Sequence, residues 1–114
     1  MLSIAALQEF GTNTAEGVGR CFGNEEFYLN LVKTVPAETR FDELADAIEK
    51  GDLDAAFEHA HALKGVLTNL SLTPISEPVV EMTELLRVRK QMDYQPLMTQ
   101  ILEKRDTLKT LCEG

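Results

Sequence analysis

Apolar residues along this chain recur every three or four positions and rarely alternate, which is the period of a helix and not of a strand. The clearest stripe is Ala56, Ala60, Leu63, Leu67 and Leu70, in a helix expected over 53–71. Before it, Phe27, Tyr28, Leu31, Val32 and Val35 share one face of a helix that Pro36 stops or kinks. Asn24 ahead of Glu25-Glu26 reads as its N-cap. Phe41, Leu44, Ala45 and Ile48 define another helix, closed by Gly51-Asp52. Met82, Leu85, Leu86 and Val88 mark a helix over 74–90, and Leu97, Ile101, Leu102, Leu108 and Leu111 a last one over 95–112. Thr73-Pro74 reads as a cap followed by the first helical position. Pro78 is awkward there: either the first turn is disturbed or the regular helix begins near Ser76. Two short helices, 2–10 and 14–22, precede all of these, the second capped by Thr12 or Asn13. Each longer segment has one apolar face, and the connections are short. The expectation is an all-α fold, an antiparallel four-helix bundle with short extra N-terminal helices, forming one domain over 1–114.

Charge narrows the partners. The net charge is −8, with 19 acidic and 11 basic residues. That argues against nucleic acid and against anionic membranes, both of which attract basic surface. No apolar run is long enough to span a bilayer, and the first residues lack the basic start and cleavage site of a secretory signal. A cytoplasmic location is expected. Cys21 and Cys112 belong to no metal-binding spacing and read as reduced thiols; no metal site is expected.

The candidate chemistry lies on the 53–71 helix. At about 100° per residue, His59 falls roughly 60° from the centre of the apolar stripe and His61 roughly 140° from it. His59 is therefore a boundary residue with its polar edge satisfied locally, while His61 faces solvent. Phe57 precedes His61 by one turn, and Lys64 and Gly65 follow it. Glycine inside a helix costs about 1 kcal/mol relative to alanine. Gly65 points away from the core, so internal packing does not account for it. The gain is space: without a Cβ there, a partner can approach the imidazole. Lys64 adds a positive charge on the same side, suited to an anion.

The stretch Ala60-His61-Ala62-Leu63-Lys64-Gly65 resembles the signature of histidine phosphotransfer (HPt) domains. Gly23-Asn24-Glu25-Glu26-Phe27-Tyr28-Leu29 is similar to the family's lead-in, Gly51-Asp52 to its turn before the active helix, and Asn69-Leu70-Ser71-Leu72-Thr73-Pro74 to the segment that follows. The resemblance implies that His61 is the phosphoacceptor, taking a phosphoryl group from a receiver-domain aspartyl phosphate and passing it to another receiver. Imidazole suits the role, because its ordinary pKa of about 6.5 leaves a nucleophilic nitrogen near neutral pH. Lys64 would offset phosphate charge and Gly65 would give clearance. Phe57, Glu58, Thr68 and Thr83 would meet the partner, Thr83 standing where the family often has a glutamine that bonds the histidine. The family usually has glycine where this chain has Ser71, a change expected to matter little. The implied partners are response-regulator receiver domains and a hybrid sensor kinase. The chain would carry no cofactor of its own, Mg²⁺ being supplied by the receiver. It has no ATP-binding motif, so it reads as a phosphoryl carrier and not a kinase, monomeric and free-standing.

Two rival readings compete with this one. Glu58 and His61 have the Glu-x-x-His spacing of di-iron bundles, but a second such pair is missing and His61 points outward. An acidic helical adaptor that binds signalling proteins without phosphotransfer is the alternative from another class.

Overall fold

The structure is a computed structural model that describes residues 2–113. Among these residues there are seven α-helices and no strand. They are α1 (Ile4–Phe10), α2 (Thr14–Arg20), α3 (Glu25–Thr34), α4 (Arg40–Lys50), α5 (Leu53–Asn69), α6 (Thr73–Arg87) and α7 (Gln95–Glu113). A 3₁₀ turn, Val35–Ala37, separates α3 from α4, with Pro36 in its first turn. The helical bundle expected from the periodicity is the fold. α5 is its central member, packed most extensively on α6 and then α4, while α7 closes the group against α6 and α4.

The stripe that defines α5 is internal: Ala56, Ala60, Leu63 and Leu67 are all buried. Buried with it in one core are Phe41, Leu44 and Ala47 of α4, Ile75, Val79, Met82 and Leu86 of α6, and Met98, Ile101 and Leu108 of α7. The same buried cluster takes in Leu7, Cys21, Tyr28 and Val32 from the N-terminal helices. Asn13, Asn24 and Asp52 each accept from the backbone N–H three residues on, which fixes where α2, α3 and α5 begin.

Several boundaries differ from the sequence expectation, and three share one cause. α2, α5 and α6 each end in a residue with positive φ that is not glycine: Phe22 (59°), Ser71 (55°) and Arg89 (53°). At each end the positive-φ residue donates to the carbonyl three back, and the next residue donates to the carbonyl five back. That pair of bonds terminates a helix as a left-handed glycine usually does. With no glycine at the left-handed position itself, the apolar pattern extends the expected helices to 22, 71 and 90, although Gly23 directly follows the first of these ends. Val88, expected on the apolar face of α6, is 72% exposed because the helix has already ended. Thr73 is no cap: Leu72 holds that position, and Pro74 lies inside the first turn. Pro78 neither delays nor breaks α6, which runs through it with the proline buried.

Ser71 shows why a small polar residue replaces the family's glycine. Its left-handed backbone is strained for any residue with a Cβ. Its hydroxyl, however, donates to Glu16 Oε1 (2.7 Å) and accepts from Arg20 Nη1 (2.9 Å), and the same Arg20 nitrogen donates to the Thr68 carbonyl (2.6 Å). These bonds tie α2 to the end of α5. Ser71→Ala keeps the strain and loses the tie, and should cost about 1–2 kcal/mol. Ser71→Gly relieves the strain and should cost less; urea unfolding of the two variants checks the order.

Tyr28 anchors α3 from below. It is fully buried, and its hydroxyl donates to the Leu70 carbonyl (2.7 Å). Gly17 makes room for it: a Cβ there would sit 2.7 Å from Tyr28 Cζ. Burial, helped by the nearby Cys21 thiol, pushes the phenol up to about 12 from its ordinary 10. A raised pKa means that the stabilisation is complete below pH 10 and is lost as the pH rises through 12. Stability should therefore fall between these values, and Tyr28→Phe should flatten that alkaline limb in pH-dependent urea melts.

Candidate functional site

The phase of α5 decides what the site contains. With Ala56, Ala60, Leu63 and Leu67 turned inward, His61 and Gly65 are exposed on the opposite side. His61 is not a bare ring on a bare surface. Phe57, one turn earlier and half-buried, stacks against it with ring centroids 5.6 Å apart and planes 18° apart. The guanidinium carbons of Arg87 and Arg89, from the end of α6 and the turn beyond, each lie 5.2 Å from the Phe57 ring centroid.

Gly65 opens onto free space: a Cβ built there meets nothing within 4 Å. This is the reverse of Gly17, whose missing Cβ is filled by Tyr28. Beside Gly65 runs a groove of about 410 Å³, walled by Leu31 and Thr34 of α3 and by Val66, Asn69 and Leu70. Leu31, read as a core position of its helix, is half-buried and forms part of this wall. Val66 is 42% exposed there, so the surface beyond Gly65 is apolar as well as open.

Lys64 is committed to a partner. Its Nζ lies 3.6 Å from Glu84 Oε1 across the α5–α6 interface. Glu84 Oε2 also accepts from Arg87 Nε at 3.0 Å. Arg87, by that bond and its charge, and then Lys64 hold the Glu84 carboxyl below its ordinary range. The positive charge that Lys64 adds on this side is therefore shared with a carboxylate on the next helix.

The remaining expected residues separate. Glu58 is exposed on α5. Thr68 is exposed too, its hydroxyl donating to the Lys64 carbonyl (2.7 Å) and its own carbonyl held by Arg20. Thr83 is a correction: it is fully buried, its hydroxyl donates to the Val79 carbonyl (2.7 Å), and it bonds His61 not at all. A side chain this short, on the core face of α6, is consumed by its own helix and offers no surface to a partner. His59 is a boundary residue, as its angle on the helix implied. Its Nδ1 lies 3.2 Å from Arg40 Nη1 and 3.5 Å from Glu43 Oε2, both at the α4 side. The two histidines thus look to different neighbours.

A family model described as Hpt domain matches residues 36–113. The chain belongs to the Hpt domain family. The match spans α4 to α7 and includes the His61–Gly65 signature and the Asn69–Pro74 segment; the lead-in over Gly23–Leu29 lies before it. No curated protein and no solved structure matches the chain. Hpt domains carry out histidine phosphotransfer in phosphorelays and interact with receiver domains.

Sequence reasoning did not find Glu84, Arg87 and Arg89. They reach the site from α6 and the following turn, and nothing in their spacing announces it. The open surface at Gly65 has a direct consequence. Gly65→Ala meets no neighbour and restores helix propensity, so it should stabilise the fold by about 0.5–1 kcal/mol, read by urea or thermal unfolding.

Proposed function

We propose that this chain is a phosphoryl carrier of a phosphorelay, with His61 as the phosphoacceptor. The observation that carries the reading is a solvent-presented histidine one turn ahead of a glycine with open space, on the central helix of an Hpt bundle. An imidazole nitrogen of His61 attacks the phosphorus of a receiver's aspartyl phosphate. The P–N bond forms as the P–O bond breaks, and the aspartate carboxylate leaves with the bonding pair. Transfer onward to a second receiver aspartate is the same exchange in reverse. Positioning and charge neutralisation supply most of the catalysis in such transfers. The receiver contributes its acidic pocket and Mg²⁺, which supplies charge to the moving phosphoryl group.

In this reading Gly65 and the groove beside it admit the receiver surface. Lys64 leaves Glu84, or shares itself with it, to meet the phosphoryl oxygens. The partners are response-regulator receivers and a hybrid sensor kinase, and the chain acts as a monomer in the cytoplasm. Among the described residues no helix is long and apolar enough to cross a membrane.

Incubation with a ³²P-labelled phosphoreceiver and Mg²⁺ should label the protein, and His61→Gln should abolish the labelling; label that survives the substitution overturns the assignment. Gly65→Leu should slow transfer about tenfold or more with helical circular dichroism unchanged. Lys64→Ala should slow transfer by about tenfold or shorten the lifetime of the phosphohistidine.

A further inference from the structure

The stack on His61 is part of a longer construction. Phe57 and His61 are four residues apart on α5, the spacing at which side chains meet. An imidazole on an open helix face samples several rotamers. Here one side of the ring is taken by an aromatic whose own position is fixed three ways. Phe57 packs against the hydrophobic cluster, and two guanidinium groups approach its ring.

Each of those arginines is separately tethered. Arg87 is bonded to Glu84 through Nε (3.0 Å). Arg89 donates from Nε to Asp54 Oδ1 (2.7 Å) and from Nη1 to the Leu86 carbonyl (2.6 Å). Asp54 is on α5, three residues before Phe57, so Arg89 clasps the end of α6 back onto the helix that carries His61. Its backbone is left-handed (φ 53°). Arginine is an unfavourable choice for that backbone, and the gain lies in where the guanidinium arrives.

We propose that Phe57 is a positioning residue for phosphotransfer: clamped by Arg87 and Arg89, it holds the His61 imidazole in one orientation for attack on the incoming phosphoryl group. The inference rests on His61 being the phosphoacceptor. It departs from the view of Phe57 as a contact for the partner, since its surroundings are the imidazole and the two arginines. A reactive nitrogen held in line loses less freedom at the transition state, which shows in the rate of the transfer step and not in affinity.

The test compares Phe57→Leu, Phe57→Tyr, Arg89→Gln and Asp54→Asn with the wild type in three measurements. These are the single-turnover transfer rate from a ³²P-phosphoreceiver with Mg²⁺, the affinity for that receiver, and the NMR shifts of the His61 ring protons. Phe57→Leu should slow transfer about tenfold, leave affinity unchanged, and remove the ring-current displacement of the His61 protons. Phe57→Tyr keeps an aromatic face and should restore rate and shifts. Arg89→Gln and Asp54→Asn should slow transfer by about two- to fivefold and move the His61 shifts in the same direction as Phe57→Leu. Should Phe57→Leu lose its helical circular dichroism, these two variants at exposed side chains decide: unchanged shifts or an unchanged rate overturns the proposal. A Phe57→Leu rate loss that is matched by lost affinity makes Phe57 a partner contact and also overturns it. Wild-type rates in every variant, with His61→Gln still unlabelled, sink the clamp alone. Failure of the wild type to accept label sinks the clamp together with the phosphotransfer reading.

Discussion

The burial of four small and medium side chains on one line of α5 is the constraint on which the rest depends. Ala56, Ala60, Leu63 and Leu67 are all within the core, and together they fix the rotation of α5 about its own axis. Once that phase is set, His61 and Gly65 have only the outside to occupy, and His59 must lie at the edge. The alanines also let α4 and α6 approach closely on either side. That closeness brings Glu84 within reach of Lys64 and lets Arg87 and Arg89 arrive over Phe57. A bulkier stripe would push the helices apart and strip the histidine of its neighbours.

Charge is distributed against the average. The chain carries a net −8, yet Arg87 and Arg89 lie over the Phe57 ring that stacks on His61, and Lys64 follows His61 by three residues on α5. Lys64 and Arg87 share Glu84, and Arg89 has Asp54, so two carboxylates offset three cations and one positive charge is left over at rest. These are mostly exposed pairs, individually weak in water. Weakness is useful here. In the proposed transfer, an arriving phosphoryl group would compete with a solvated carboxylate for Lys64 and would not have to break a buried ion pair.

The helix ends show the same local bargaining between backbone and side chain. Phe22, Ser71 and Arg89 all take up the left-handed position that glycine fills without strain. At Ser71 the return is a hydrogen-bonded link to Glu16 and Arg20. At Arg89 it is the link to Asp54 and the contact with Phe57. Nothing in the structure repays Phe22, which is almost wholly exposed.

Much of this protein is written in the order of its residues, because helical periodicity is a local property. The 3.6-residue repeat reported the helices, the inward stripe of α5, the outward direction of His61 and the exposed glycine beyond it. The signature around His61 pointed to the family to which the chain belongs. What local pattern does not carry is contact between segments distant in sequence. Lys64 has a neighbour twenty residues on, Phe57 is capped by arginines from the end of α6 and the turn beyond, and Thr83, which a count along the chain puts near the histidine, is turned into the core. The true ends of α2, α5 and α6 were hidden for a related reason: strained residues stand where glycine would have announced them. Tertiary structure made these decisions, since only packing sets which side chains of separate helices share the space around His61.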